Sequence, residues 1–343
     1  MNPLDKRLLG KTGLKLPLLG FGGAPLGGLF KKVSLRHTEE TLNQAYDSGI
    51  RYYDTAPFYG HGLSEHRLGH MLRQKIRSEF ILSSKVGRVY NPFKGFPKEF
   101  DGSHWIGGLP FQCYFDYTSG GLERSFVDST LRLGINRIDL LIIHDLDKGY
   151  HGKKVQQKLN ELESGIKWLN RMKTSRIIKG FGAGINDIHM MPIFMKHFDL
   201  DFFLVAMPYT LLDQSPLEEV FLECKKREIA IIIGSPYASG ILAAGLKNES
   251  TYGYAPANSK ILKKIKSIES ICSKYDVPLK AASLQFPLLH PLVSSVIPGV
   301  LNKVEVLENI RMIKHTIPRE LWLDLKNNGL LHPEAPVSLP INK

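Results

Sequence analysis

An aspartate, a tyrosine, a lysine and a histidine fall at the ends of three short apolar runs, and as a set they have the means to move a proton. Residues 49–54, Gly-Ile-Arg-Tyr-Tyr-Asp, close on Asp54, and the Thr-Ala-Pro-Phe-Tyr-Gly that follows carries Tyr59 back over that end. Residues 80–86 hold Lys85 at their end, and residues 138–144 finish on His144. A free phenol ionises near ~10, so tyrosine is a weak proton carrier at neutral pH unless something lowers that value. An ammonium in contact does so, and a carboxylate beside the ammonium keeps it charged and aimed, because short-range opposite charges shift a pKa by ~1–3 units. Asp54 would then orient Lys85, Lys85 would tune Tyr59 as general acid or base, and His144 would hydrogen-bond the reacting oxygen. Each residue alone has a plainer reading: a rim or capping carboxylate, a packed loop aromatic, a surface charge, a satisfied buried histidine. The four together, all at strand ends, are what point to chemistry.

That chemistry demands parallel strands whose carboxyl ends share one rim, as in a closed barrel. The pattern supplies them. Residues 7–16, with Gly-Lys-Thr-Gly at the turn, read as a hairpin placed to plug the barrel floor. Residues 17–23 read as the first barrel strand. After it, strands over 52–54, 80–86, 138–144, 177–183, 202–206, 229–234 and 293–297 alternate with helical stretches over 34–48, 64–73, 121–133, 155–173, 188–197, 216–227, 256–275 and 278–289. Eight such units predict the α/β class and a single (β/α)8 TIM barrel over residues 1–343. An N-terminal β-hairpin, long loops at the C-terminal rim and C-terminal helices over 307–314 and 319–328 complete it.

One interval breaks the rhythm. Residues 87–119 are rich in glycine, proline and aromatics and follow Lys85 directly, so they read as an ordered lid or substrate wall. Residues 145–154 and 237–254 are the other candidate walls. The glycines near residue 20 do not form a dinucleotide fingerprint, because Pro25 stands where the third glycine belongs. They read instead as a bend, or as backbone that a ligand can approach. At 43% hydrophobic and 23% charged residues the composition is that of an ordinary globular protein. The net charge of +12 is spread over helix faces such as Lys260, Lys263, Lys264 and Lys266. It therefore reads as a solvated basic surface that attracts anionic cofactors, with neither nucleic acid nor membrane as partner. Cys113, Cys224 and Cys272 are too few and too unpatterned for a disulfide framework or a metal site. No run reaches the ~20 apolar residues of a bilayer span or the core of a signal peptide. A cytoplasmic location and a monomer or weak homo-oligomer are the corresponding expectations.

The run 49–60, then Gly-Leu-Ser-Glu-His-Arg-Leu-Gly at 62–69, Ser-Ser-Lys-Val at 83–86 and Asp-Leu-Leu-Ile-Ile-His-Asp at 139–145, resembles the aldo-keto reductase family in order and spacing over nearly the whole chain. The wording at 107–111, 115–117, 144–147 and 150–152 is most similar to the branch of D-threo-aldose (L-fucose) 1-dehydrogenases and pyridoxal 4-dehydrogenases. The resemblance implies direct hydride transfer between a nicotinamide cofactor and a small sugar or aldehyde, without a metal. It implies catalytic roles for Tyr59, Asp54, Lys85 and His144, and substrate contacts from Tyr59, His144, Trp105 and Asp145. It assigns cofactor contacts to Gly22, Gly23, Asp54, Asn186, Gly234, Ser235, Pro236, Gly240, Leu242, Ile297, Gly299, Glu305, Glu308 and Asn309.

Two of those contacts depart from the family pattern. The Ser-Asn pair after the fifth strand is Gly184-Ile185, with Asn186 one place on. The aromatic that stacks on the nicotinamide after the seventh strand is Gly234, so backbone and Ser235 would serve, or Tyr209 or Tyr237 would stack from another side. In NADPH-using relatives, basic residues occupy the places of Gly299 and Glu305. An acidic group accepts from a ribose 2′-hydroxyl and repels a phosphate, so NAD is favoured, with NADP the alternative and Lys303 the cation that argues for it. The leading expectation is oxidation of an aldose such as L-fucose at C1 to its lactone. Pyridoxal oxidised to 4-pyridoxolactone and general aldehyde or ketone reduction are the alternatives within the fold. A nucleotide-binding sensor subunit is the reading from another class. A glycosidase using Asp54 and Asp145 would require that Lys85 leave Asp54 free.

Overall fold

Side chains alternate between the two faces of a strand, so a closed sheet sorts them into a barrel interior and an outer layer. The computed structural model describes residues 1–245, 251–253 and 255–340. In it eight parallel strands follow one another around a barrel: Phe21–Gly22, Tyr52–Asp54, Ile81–Val86, Leu140–His144, Gly180–Ile185, Phe202–Ala206, Ala230–Gly234 and Val293–Ile297. The first and eighth meet through bridges Leu19–Val296 and Gly22–Gly299, with Gly20 N–H donating to Val296 O at 2.9 Å and Gly22 N–H to Pro298 O at 3.0 Å. The expected α/β barrel is therefore the fold observed.

The hairpin Lys6–Leu8 with Lys15–Pro17 closes the floor. Leu9, after its first strand, and Leu16, within its second, pack with Tyr52, Leu140, Ile142, Phe202, Leu204 and Ile232 in the barrel interior. The alternate residues, Tyr53, Leu141, Ile143, Phe203, Val205 and Ile231, face the helices in the larger outer core. Leu35–Asp47 starts on Ser34, whose hydroxyl accepts from His37 N–H, and Ser119–Leu133 is capped by Thr118 in the same manner and stopped by Gly134.

Several boundaries differ from the sequence reading: the first strand, expected over 17–23, is Phe21–Gly22, because Pro17 pairs with Lys6 in the hairpin. Three others have equally local reasons. The fifth strand begins three residues later and runs on to Ile185, because Ile177 N–H closes the preceding helix on Met172 O, and Gly182 and Gly184 pair with Ile142 and His144. Neighbours on both sides override the weak strand preference of its glycines. Residues 216–227 split into a short turn, Ser215–Leu217, and Val220–Lys226. Lys303–Lys314 starts four residues earlier than its apolar spacing suggested, since Asn302 Oδ1 accepts from Glu305 N–H while Glu305 Oε2 accepts from Leu301 N–H.

The long interval after Lys85 carries structure of its own. Arg88–Pro92 and Phe111–Phe115 pair antiparallel in full register. Gly87, at φ 101°, turns the chain out of the barrel over the Tyr117 ring, where a Cβ would sit 2.5 Å from the nearest ring carbon. Between the two strands the segment is strapped across the mouth: Leu29 bridges Trp105, Phe30 N–H donates to His104 O at 2.8 Å, and Leu109 N–H to Gly60 O at 3.0 Å. Of the wall expected at 237–254, residues 246–250 and 254 lie outside the described residues. Among the described residues no helix is long and apolar enough to cross a membrane.

Candidate active site

Tyr52, Leu140, Ile142, Phe202, Leu204, Ala230 and Ile232 share the interior cluster, so two residues further along their strands Asp54, His144, Ala206 and Gly234 also face inward. Together with Gly22, Lys85, Gly184 and Ile297 they ring a cavity of about 430 Å³ at the carboxyl ends of the strands. Tyr59, on the turn after the second strand, and Trp105, from the strap, close its upper wall.

The four residues that open the sequence argument are brought together here. Lys85 Nζ donates to Asp54 Oδ2 at 2.7 Å and to Thr55 O at 3.0 Å, and lies 4.5 Å from the centre of the Tyr59 ring. Ser83 Oγ donates to Asp54 Oδ1 at 2.7 Å, so both carboxylate oxygens are engaged. The Tyr59 and His144 rings stand edge to face with centroids 6.1 Å apart. Asp54 and Lys85 are each 2% exposed, and a buried charge pair holds only when both charges keep their partners.

Electrostatics follow from that burial. Withdrawal from water pushes the Tyr59 phenol up to about 12; Lys85 pulls the other way and Asp54 adds to the rise. Lys85 does act in the expected direction, but burial outweighs it, which corrects the expectation of a phenol below its ordinary value. Burial alone would lower Lys85, yet Asp54 and Tyr59 more than offset it and hold the ammonium above its ordinary range. His144 is lowered to about 3, chiefly by burial and further by Arg88 and Lys85, so its ring is neutral. Its Nδ1 has no hydrogen-bond partner among the described residues.

The wall above is aromatic. Trp105 packs edge-on to Phe58 at 5.4 Å and against Tyr59 at 5.6 Å, with His104 and Tyr150 beside them. Asp145, expected as a substrate contact, borders the cavity but is already paired: Arg88 Nη2 donates to its Oδ2 at 2.6 Å. Since Lys85 claims Asp54 and Arg88 claims Asp145, no pair of free acids among the described residues faces the cavity, and the glycosidase reading falls. Arg88, Phe58, His104 and Tyr150 were missed by the sequence reading. An arginine three residues past a strand-end lysine, opening a second run of alternating residues, was the available signal for the first.

The expected cofactor residues divide. Gly22, Asp54, Asn186, Gly234, Ser235, Ile297 and Gly299 lie on the cavity wall; Gly23, Pro236, Gly240, Leu242, Glu305, Glu308 and Asn309 do not. Gly23 N–H donates to Asp54 O at 2.8 Å, which ties the first strand's end to the second. Pro236 and Leu242 are buried, and Gly240, at φ 92°, is exposed at the start of Ile241–Ala244. Glu308 accepts from Lys280 Nζ at 2.5 Å, and Asn309 Oδ1 accepts from Tyr237 Oη at 2.6 Å. Tyr209 is fully buried between Phe221 and Phe286. Neither Tyr209 nor Tyr237 borders the cavity, so neither replaces the ring absent at Gly234. Lys303 pairs with Glu40 on Leu35–Asp47 at 3.4 Å.

A β/α barrel gathering a phenol, an ammonium and an imidazole at its mouth has the architecture of a barrel oxidoreductase. The chain belongs to the aldo/keto reductase family, whose description matches residues 18–327, and it is an oxidoreductase. It is 40% identical over 336 residues to the pyridoxal 4-dehydrogenase of Microbacterium luteolum, covering 95% of this chain and 98% of that one. It is 36% identical over 324 residues to the D-threo-aldose 1-dehydrogenase of a Pseudomonas species, covering 93% and 96%. The barrel superposes on the holo form of an aldo-keto reductase from Bacillus halodurans with a TM-score of 0.74 at 23% identity, over 98% of both chains.

Members of the family work with a nicotinamide cofactor. The wall fits such a group: Gly184, Ala206 and Gly234 leave a nearly bare face, a Cβ on Gly234 would come no nearer than 3.2 Å to Leu204 Cδ2, and the Asn186 carboxamide and Ser235 hydroxyl stand at its edge.

Proposed function

We propose that this enzyme oxidises the hydroxyl-bearing ring carbon of a cyclic hemiacetal to a lactone with NAD, the substrate being an aldose of the L-fucose type or pyridoxal in its hemiacetal form. The observation that carries the reading is the convergence of Tyr59, Lys85 and His144 on one cavity beneath Trp105. Both named relatives share this chemistry, since each substrate closes on itself through a hydroxyl. In this direction Tyr59 is the base. Its phenolate, stabilised by the Lys85 ammonium, takes the hydroxyl proton and becomes the phenol, Asp54 keeps that ammonium charged and in place, and the neutral His144 ring hydrogen-bonds the same oxygen and fixes its direction. The nicotinamide ring, when bound, accepts the hydride. Trp105 and the strap cover the reacting carbon, and Asn186 and Ser235 hold the cofactor's carboxamide end.

Three observations support NAD over NADP. Gly299 offers no charge, Glu305 presents a carboxylate at the start of Lys303–Lys314, and Lys303 is engaged by Glu40. The carboxylate accepts Leu301 N–H at 2.7 Å and Asn302 Nδ2 at 3.0 Å, a geometry that leaves lone pairs for a ribose hydroxyl and repels a phosphate.

The test is initial rates of nicotinamide reduction with purified protein, NAD or NADP, and a panel of L-fucose, other aldoses and pyridoxal. Lactone formation with NAD from one arm supports the proposal and names the substrate. Turnover only in the reverse direction, with open-chain aldehydes and NADPH, would replace it with the general reductase reading.

A further inference from the structure

Behind His144 lies a buried ion pair that the proton-handling set does not use. Arg88 is 3% exposed. Its guanidinium is held between the Phe58 ring at 3.7 Å and the Phe115 ring at 4.2 Å, with Tyr150 at 4.7 Å, and its Nη2 reaches Asp145 Oδ2 at 2.6 Å. Asp145 is itself a junction. The same Oδ2 lies 3.2 Å from His144 Nε2, and its other oxygen accepts from Asn186 Nδ2 at 3.3 Å.

One carboxylate therefore touches the imidazole that faces the substrate and the carboxamide that stands where the cofactor's amide is expected. Asp145 has φ 53°, a backbone setting that an L-residue keeps only when its surroundings hold it there. Burial raises its acid, but His144, Arg88 and Lys85 together bring it below the ordinary carboxylate range, so it stands charged. The aromatic sandwich matters because it fixes the guanidinium plane; a flexible ammonium there would supply charge without that direction.

We propose that Arg88 is a positioning residue that acts through Asp145, aiming the ring of His144 and the carboxamide of Asn186 together and so coupling the substrate side of the cavity to the cofactor side. This rests on the hemiacetal dehydrogenase reading for its kinetic arm alone.

The experiment is a double-mutant cycle on full-length protein with Arg88→Met, Asp145→Asn and both together, plus Arg88→Lys. Each variant is measured for kcat, for NAD affinity by titration of intrinsic fluorescence, and for thermal midpoint. Misplacing a reacting group by about 1 Å costs roughly 10²-fold, so each single variant is expected to lose between ten- and a hundred-fold in kcat. Each is also expected to bind NAD several-fold more weakly. The double variant should be no worse than the poorer single one, because both changes break one chain of contacts. Arg88→Lys, which keeps the charge, should recover part of kcat. Removing both charges also relieves the stranded buried carboxylate, so if Arg88→Met folds poorly the double variant is compared with Asp145→Asn, which it should match in kcat and NAD affinity. Losses that multiply in the double variant would overturn the proposal. So would a lowered thermal midpoint with kcat and NAD affinity unchanged, which would make Arg88 a packing residue only. If the wild type oxidises no hemiacetal, the functional reading fails by itself, and the NAD titrations still judge the role of Arg88.

Discussion

The two halves of the rim use the same strand-end position in opposite ways. On the second to fourth strands it holds Asp54, Lys85 and His144, all buried, the first two bonded to each other; on the fifth to seventh it holds Gly184, Ala206 and Gly234. One half spends its side chains on fixed charges, where aligned groups act in a dry site without reorganising. The other withholds side chains and leaves a flat face with polar groups only at its edge. The chemistry thus resides in what is present on one side, and the room for a cofactor in what is missing from the other.

The sharpest break of that comparison is Tyr59→Phe. General acid–base groups contribute on the order of 10²–10⁴-fold, so hydride transfer should fall by that much. NAD affinity should hardly change, because the bare half is untouched. Turnover at the wild-type level would remove Tyr59 from the charged half's work.

Next in size is pH. A phenol raised to about 12 by burial is protonated throughout the neutral range, and the oxidising direction needs it deprotonated. Below its pKa the deprotonated fraction grows about tenfold per pH unit, so oxidation should climb from pH ~7 toward ~10, while reduction, which uses the protonated phenol, should stay nearly level. His144, lowered to about 3, stays neutral across that window and adds no limb. A flat profile at saturating substrate would place proton transfer elsewhere.

The charged half was legible in the sequence because each of its residues ends an apolar run, and alternation then decides which way it points. The barrel was legible for the same reason: Phe202–Ala206 and Ala230–Gly234 are continuous apolar strands bounded by turns. What escaped was set by contacts distant in the chain. Arg88 reads as an ordinary charge until Phe58, Phe115 and Asp145 close around it. The strand at Gly180–Ile185 is glycine-rich, and only pairing with its neighbours makes it a strand. Glu305 and Glu308 appear as free acids in one dimension, whereas one caps its own helix and the other holds Lys280. Local pattern carries the skeleton, and tertiary partners decide which of the remaining charges are available.

Glu305→Arg sharpens the cofactor side. A partly exposed charge contact is worth up to about 1 kcal/mol, so the ratio of kcat/KM for NADP over NAD should rise roughly five-fold. Losing the carboxylate also removes the reach-back to Leu301 N–H, and a lost cap costs about 1 kcal/mol of stability. An unchanged cofactor ratio with a lowered thermal midpoint would mean that the carboxylate serves the helix alone.

The smallest and most informative change is Gly234→Phe, which puts a ring where the bare half has none. The backbone at residue 234 does not need glycine's positive φ, and a Cβ there meets Leu204 Cδ2 at 3.2 Å and nothing else nearer than 3.7 Å. Leu204 can give by a few tenths of an ångström, so the fold should survive with its thermal midpoint little changed. If the open face is spare room beside the cofactor ring, an added aromatic contributes about 0.5–1.5 kcal/mol of stacking, and NAD should bind a few-fold more tightly in a titration. If the cofactor instead lies directly against the glycine, the ring must displace it and affinity should fall by more than tenfold at unchanged stability. The first result makes the bare half a tolerance that a side chain can fill; the second makes the absence of a side chain there as specific a feature as the charges opposite.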